Sequence, residues 1–166
     1  MNYELRKLTL NDAADLANAA NNPNVSRYLR DVFHYPYSAD DATAYINLAI
    51  SSEKDLFFGI SVDNKICGCV CVCFRDDIYS KSCEIGFWLA EKHWKKGIMS
   101  KVLLKICNDT FHKYNMERID AEVFSGNTAA RKTLEKIGFK FEGLHEKSVY
   151  KNGRVMDTVT YALLKS

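Results

Sequence analysis

The sequence predicts a mixed α/β domain with a largely antiparallel central sheet flanked by helices, and three observations carry that expectation. Strand-like and helix-like runs interleave in the order β-α-α-β-β-β-α-β-α-β-β. Two strand pairs are joined by two-residue hairpin turns, Asp63-Asn64 and Asn152-Gly153. One strand, "ICGCVCVC" at 66–73, is apolar at every position, which requires cover on both faces. With 166 residues, 47% of them hydrophobic, the chain reads as one domain, 1–166.

Each element has a local reason. "YELRKLTL" (3–10) has strand character, and Thr9 with Asp12 forms a capping-box start to a helix through "AADLANAA". The stretch 27–38 is aromatic and broken by Pro36, after which Ser38 and Asp41 cap a second helix through "DATAYINLAI". "LFFGISV" and "KICGCVCVCF" make a hairpin about Asp63-Asn64. A polar turn (76–82) leads to the strand "CEIGFWLA" (83–90). A long helix follows from near Gly97, with Ile98, Val102 and Ile106 at helical spacing. "ERIDAEVF" (117–124) is a strand, Asn127 caps a short helix that Gly138 ends, and "KFEGLHEKSVY" and "VMDTVTYALL" flank "KNGR" as a final hairpin.

The cysteine run invites a metal or disulfide reading that strand geometry rejects. Alternation sends Cys67, Cys69, Cys71 and Cys73 to one face about 6.6 Å apart, whereas zinc thiolates sit roughly 3.8 Å from one another. Neighbours at i and i+2 run parallel instead of converging, so they do not pair as disulfides either. The run is read as small buried hydrophobes, with all six thiols free and no metal. The charge balance, 23 basic against 21 acidic residues in interleaved order, lacks a nucleic-acid footprint. No secretory leader or membrane-spanning run is evident, so a cytoplasmic protein with no membrane partner is expected, and the glycosylation spelling at Asn108 carries no weight.

The informative junction is "WLAEKHWKKGIMSK" (88–101). A helix opening beyond a glycine presents unpaired N–H groups and the positive end of its dipole, and Lys95 and Lys96 add charge beside it. The spacing is neither that of a nucleoside-triphosphate loop nor that of a dinucleotide fingerprint.

"EIGFWLAEKHWKKGIMSKVL", followed by "NTAARKTLEKIGFKFEG", resembles the GCN5-related N-acetyltransferase superfamily. The likeness is to the branch of ribosomal-protein N-terminal and spermidine acetyltransferases; "SADDATAYI" and "YKNGRVMDTVTYALL" resemble it too. The resemblance implies an acetyl-CoA-dependent transfer of acetyl to a primary amine, by direct attack in a ternary complex. It implies that the pyrophosphate rests on the loop Trp94, Lys95, Lys96, Gly97, Ile98, Met99 and Ser100. It further implies that the pantetheine arm lies along Phe87, Trp88 and Leu89, one of whose N–H groups holds the developing oxyanion, and that Asn127 bonds that arm. Against the family pattern Q/R-x-x-G-x-G/A the chain has Trp94, Gly97 and Met99, and it has Leu134 and Ala130 where relatives carry a tyrosine or serine proton donor. The alternative is therefore a catalytically silent acyl-CoA-binding domain.

Glu84, on the strand before the implied groove, is the candidate base. Tyr28, Phe33, Tyr35 and Tyr37 are the candidate acceptor-binding residues, with Asp31, Glu146 and Asp157 as carboxylates able to attract a cation. His34, His93, His112 and His145 show no metal or nucleophile spacing and receive no catalytic role. The expected partner is an amine, a protein N-terminus or a small molecule; the oligomeric state, a dimer included, is open.

Overall fold

The computed structural model describes residues 2–166. Among them seven strands form one sheet in the order β1-β2-β3-β4-β5-β7-β6. The strands are β1 (Tyr3–Arg6), β2 (Leu56–Val62), β3 (Lys65–Phe74), β4 (Ser82–Leu89), β5 (Arg118–Phe124), β6 (Lys140–Lys151) and β7 (Arg154–Leu164). The helices are α1 (Ala13–Ala20), α2 (Pro23–Ser26), α3 (Ala39–Ser51), α4 (Ile98–Lys113) and α5 (Thr128–Lys136). Pairing is antiparallel for β1 with β2, β2 with β3, β5 with β7 and β6 with β7, and parallel for β4 with β5. The expected order is met, with the single-turn α2 added, where Asn22 accepts a bond from the Asn24 N–H and Pro23 opens the turn.

Two boundaries differ from expectation for identifiable reasons. β1 ends at Arg6 instead of continuing through residue 10, because Asp12 draws the chain around. Its carboxylate accepts the Thr9 N–H (2.8 Å), the Thr9 hydroxyl (3.0 Å) and two bonds from Arg6 (2.8 and 2.7 Å). The capping box at Thr9 is present, but it opens a short 3-10 turn, Leu10–Asp12, that runs on into α1. Ser38 and Asp41 form their capping box at the start of α3 as the spacing predicts.

The expected cysteine face needs a correction. Ile60 pairs with Gly68 while Ser61 pairs with Ile66, so Cys67 is an extra residue bulged out of β3. Its thiol turns to the Ile60 carbonyl (3.3 Å), and the alternating row begins at Cys69. All six cysteines are free. Burial pushes the thiol of Cys67 up to about 11 and those of Cys83 and Cys107 up to about 12, as fits core filling better than reactivity.

The chain divides into two compact units, one made of the segment up to Val72 together with Phe87–Ile98, the other of Cys73–Gly86 and Met99–Ser166. The first unit buries Leu16, Ala42, Ile46, Ile66 and Cys69 with an aromatic group in which Phe33 lies 4.7 Å from Tyr45 and 5.1 Å from Trp88. In the second unit Tyr161 is fully buried yet satisfied: its hydroxyl donates to Glu135 (2.7 Å) and accepts from Arg131 (3.1 Å). Both predicted hairpin turns have left-handed residues, Asp63 and Asn64 in one, Asn152 and Gly153 in the other. Among the described residues no helix is long and apolar enough to cross a membrane.

Candidate active site

Backbone geometry organises the first unit's share of the predicted site. Two bonds, Arg75 N–H to the Ser82 carbonyl and Ala90 N–H to the Cys67 carbonyl, fix β3 and β4 as antiparallel neighbours. The Trp88 carbonyl faces β3, close enough that a Cβ on Gly68 would stand 2.4 Å from it. The next carbonyl, that of Leu89, points away and accepts the Trp94 indole N–H at 2.6 Å. In an extended strand successive residues direct their N–H and C=O groups to opposite edges, so Phe87 shares the outward edge of Leu89. Of the three strand residues predicted to carry the pantetheine arm, Phe87 and Leu89 thus direct their main-chain groups to the outward edge, while the main chain of Trp88 serves β3 and its ring serves the core.

After β4 a 3-10 turn, Glu91–His93, leads to Trp94 and then to a loop with two left-handed residues, Lys95 (φ +59°) and Gly97 (φ +73°), on either side of Lys96. Such reversals turn successive N–H groups into one concavity, a nest suited to an anion. α4 begins at the next residue, Ile98, adding its own unpaired amides, with Met99 and Ser100 in its first turn. An added Cβ at Gly97 would meet no atom within 4 Å, so the glycine answers to its dihedral and leaves open space above the loop. A pyrophosphate fits this arrangement: donors are main-chain amides, Lys95 and Lys96 are exposed, and the departures at Trp94 and Met99 leave the amides in place.

The predicted acceptor residues divide. Phe33 and Tyr37 are buried in the aromatic core, and the Tyr37 hydroxyl, like the Trp88 indole N–H, has no hydrogen-bond partner among the described residues. Burial raises the Tyr37 phenol well above its ordinary range. Tyr35 is exposed and Tyr28 half-exposed beneath the Arg27 guanidinium, 5.4 Å from its ring.

In the second unit Glu84 is a register partner of Asp120 across the parallel β4 and β5. Two carboxylates abreast would repel, and Arg75 resolves this by pairing with Asp120 while another of its nitrogens lies 4.0 Å from Glu84. Arg118 also pairs with Asp120 (2.5 Å) and with Glu142 (3.0 Å). The Asp120 side chain is 8% exposed and that of Glu84 33%, so of the two it is Glu84 that faces solvent. Arg75 is a residue that motif reading missed. It lies just past the end of β3, and no local spacing marks the carboxylates it meets there.

Asn127 caps α5 by accepting the Ala130 N–H (3.2 Å), so the cap engages its side-chain oxygen and not its amide nitrogen. Leu134 is fully buried, and Ala130 is half-exposed without a hydroxyl. The Asp157 carboxylate accepts the Lys147 N–H (2.7 Å) where β6 is irregular, whereas Asp31 and Glu146 are exposed. The histidines have structural partners or burial: His34 beside Asp41 (3.2 Å), His112 on the Asn108 carbonyl (2.8 Å), His145 on Thr160 (2.7 Å), and His93 buried. No group of three or more His, Cys, Asp or Glu side chains among the described residues is arranged to hold a metal ion.

Comparison with known proteins gives the family. Residues 2–140 match the family described as acetyltransferase (GNAT) domain. The uncharacterized N-acetyltransferase p20 of Bacillus licheniformis is 31% identical over 97% of this chain and 92% of its own length. The uncharacterized N-acetyltransferase YoaA of Bacillus subtilis is 37% identical over a shorter match, spanning 49% of this chain and 46% of that protein. Among solved structures, spermidine N-acetyltransferase from Vibrio cholerae in complex with CoA and spermine superposes with a TM-score of 0.81 at 26% identity, over 98% of this chain and 95% of that one.

Proposed function

From the premise that this chain belongs to the GNAT family of acetyltransferases, we propose that it is a single-domain N-acetyltransferase that uses acetyl-CoA to acetylate a primary amine, a protein N-terminal α-amine or a small-molecule amine. The observation that carries this is the pair of left-handed residues, Lys95 and Gly97, that opens the backbone amides of the loop directly before α4. When bound, acetyl-CoA supplies the activated acetyl thioester. The amides of residues 95–98 hold its phosphates, the outward edge at Phe87 and Leu89 receives its arm, and a main-chain N–H of that edge is the donor for the polarised acetyl oxygen.

The acceptor must attack as a neutral amine. An α-amine of pKa ~7.8 is about one-seventh neutral at pH 7, whereas a lysine-like amine of pKa ~10.4 is neutral in only about one molecule in 2,500. Glu84 is the proposed base, acting directly or through water. The spermidine acetyltransferase relative favours a small cationic amine as the first acceptor to try.

A second reading, acyl-CoA binding without transfer, is favoured by one observation: the two positions matching the family's proton donors are Leu134, fully buried, and Ala130. Calorimetry with acetyl-CoA, followed by CoA-release assays across polyamines and N-terminal peptides, separates the two. Binding with turnover of either acceptor supports the enzyme. Binding with no turnover across the panel supports the silent domain, and absence of binding overturns both.

A further inference from the structure

We propose that Trp94 is a positioning residue that ties the phosphate loop to the cofactor strand, through its indole N–H bond to the Leu89 carbonyl. The inference rests on the acetyl-CoA reading and concerns the first of the two positions, Trp94 and Met99, at which this chain departs from the family's Q/R-x-x-G-x-G/A pattern.

Besides the indole bond, the loop is tied to the turn before it by the Lys96 ammonium, which donates to the Lys92 carbonyl (2.7 Å). Its backbone is held at Trp94 by the bond to the Glu91 carbonyl (3.0 Å), and Glu91 is itself gripped by Asn22 (2.7 Å) and Asn24 (3.1 Å). Immediately after Trp94 the chain enters the left-handed Lys95, where regular hydrogen bonding ends. The indole bond at 2.6 Å therefore fixes the loop at the last residue before the nest. The ring is 39% exposed, so burial alone does not hold it, and the directional bond matters correspondingly more.

The same bond also edits the strand. Left open, the outward edge of β4 would offer two acceptors, the Phe87 and Leu89 carbonyls. With the indole N–H already on one lone pair of the Leu89 carbonyl, the Phe87 carbonyl is the less encumbered acceptor on that edge, and a ligand arm carrying amides bonds there in preference. Trp94 thus couples two parts of one ligand's site: where the phosphates sit and how the arm aligns.

The test is Trp94→Phe, which keeps an aromatic ring and deletes the N–H. In the free protein, hydrogen exchange of a peptide covering residues 94–100 should accelerate while the melting temperature stays near that of wild type. The Kd for CoA by calorimetry, and the KM for acetyl-CoA, should rise about tenfold, with kcat changed far less. With S-acetylpantetheine, which lacks the pyrophosphate, the wild-type to variant ratio of kcat/KM should shrink to roughly twofold, because the loop no longer has phosphates to place. Equal losses with both donors, or no change in exchange and affinity, would overturn the role assigned to Trp94 while leaving the acetyl-CoA reading intact. A wild-type protein that binds no CoA would overturn both.

Discussion

Glu84 and Asp120 stand abreast on parallel strands, two carboxylates that Arg75 serves unequally, pairing closely with Asp120 and standing 4.0 Å from Glu84. The buried partner takes the cations and the more exposed one keeps access to solvent. This division of roles makes Glu84 the carboxylate to test.

For Glu84→Gln, turnover of a polyamine at pH 7 should fall by roughly 10² to 10⁴, the usual worth of a positioned base. With an N-terminal peptide the loss should stay within about tenfold, since about one-seventh of that amine is already neutral. CoA-release rates measured with both acceptors over a pH series check this, and a few-fold loss with the polyamine would remove Glu84 from the role.

Gly68→Ala should distort β4 from its β3 side. The new Cβ would meet the Trp88 carbonyl oxygen at 2.4 Å and the Leu89 Cα at 3.1 Å, and main chain does not yield cheaply. A loss of about 2–3 kcal/mol in denaturant unfolding, with weakened CoA affinity, is the expected result. Gly143→Ala, where the added Cβ meets no atom within 4 Å, serves as the control.

Asp12 gives a prediction about acid stability. The Arg6 guanidinium, then the Thr9 amide and hydroxyl, hold its carboxyl below the usual range against the opposing effect of burial. A depressed folded pKa stabilises above the unfolded value near ~3.9, and that contribution is lost as pH falls through the folded pKa. Asp12→Asn should therefore cost about 2 kcal/mol at pH 7 and lessen the fall in melting temperature below about pH 4, read by thermal unfolding over a pH series.

His93 works in the opposite part of the scale. Desolvation, helped by Lys92 and Lys96, lowers its pKa, and its Nδ1 is buried with no partner among the described residues. The folded state resists the proton that the unfolded state accepts below about 6.5, so stability is whole above that pH and declines beneath it. His93→Gln should flatten the melting temperature between pH 7 and 5.5, relative to wild type.

Sequence reading reached the fold through features that are local. Asp63-Asn64 and Asn152-Gly153 demand left-handed backbone wherever they occur, and Ser38 with Asp41 closes its capping box within one turn. The left-handed loop before α4 was legible for the same reason, as a glycine at a helix start. What local spacing could not reveal was pairing: that Arg75, just past the end of β3, and Asp120 on β5 meet around Glu84, or that the Trp94 ring folds back to Leu89. The aromatic stretch 27–38 shows the other limit, because composition cannot tell Phe33 and Tyr37, which became core, from Tyr35, which stayed outside.

The bulge at Cys67 has a consequence for anyone redesigning β3. Counting by twos assigns Ile66 and Cys69 to opposite layers, yet the extra residue brings both into one apolar cluster beside Trp88. Both side chains fill one packed cluster, so a larger residue at 69 calls for a compensating reduction elsewhere in that cluster, and a library that varies its members independently will sample mostly overfilled or hollow interiors.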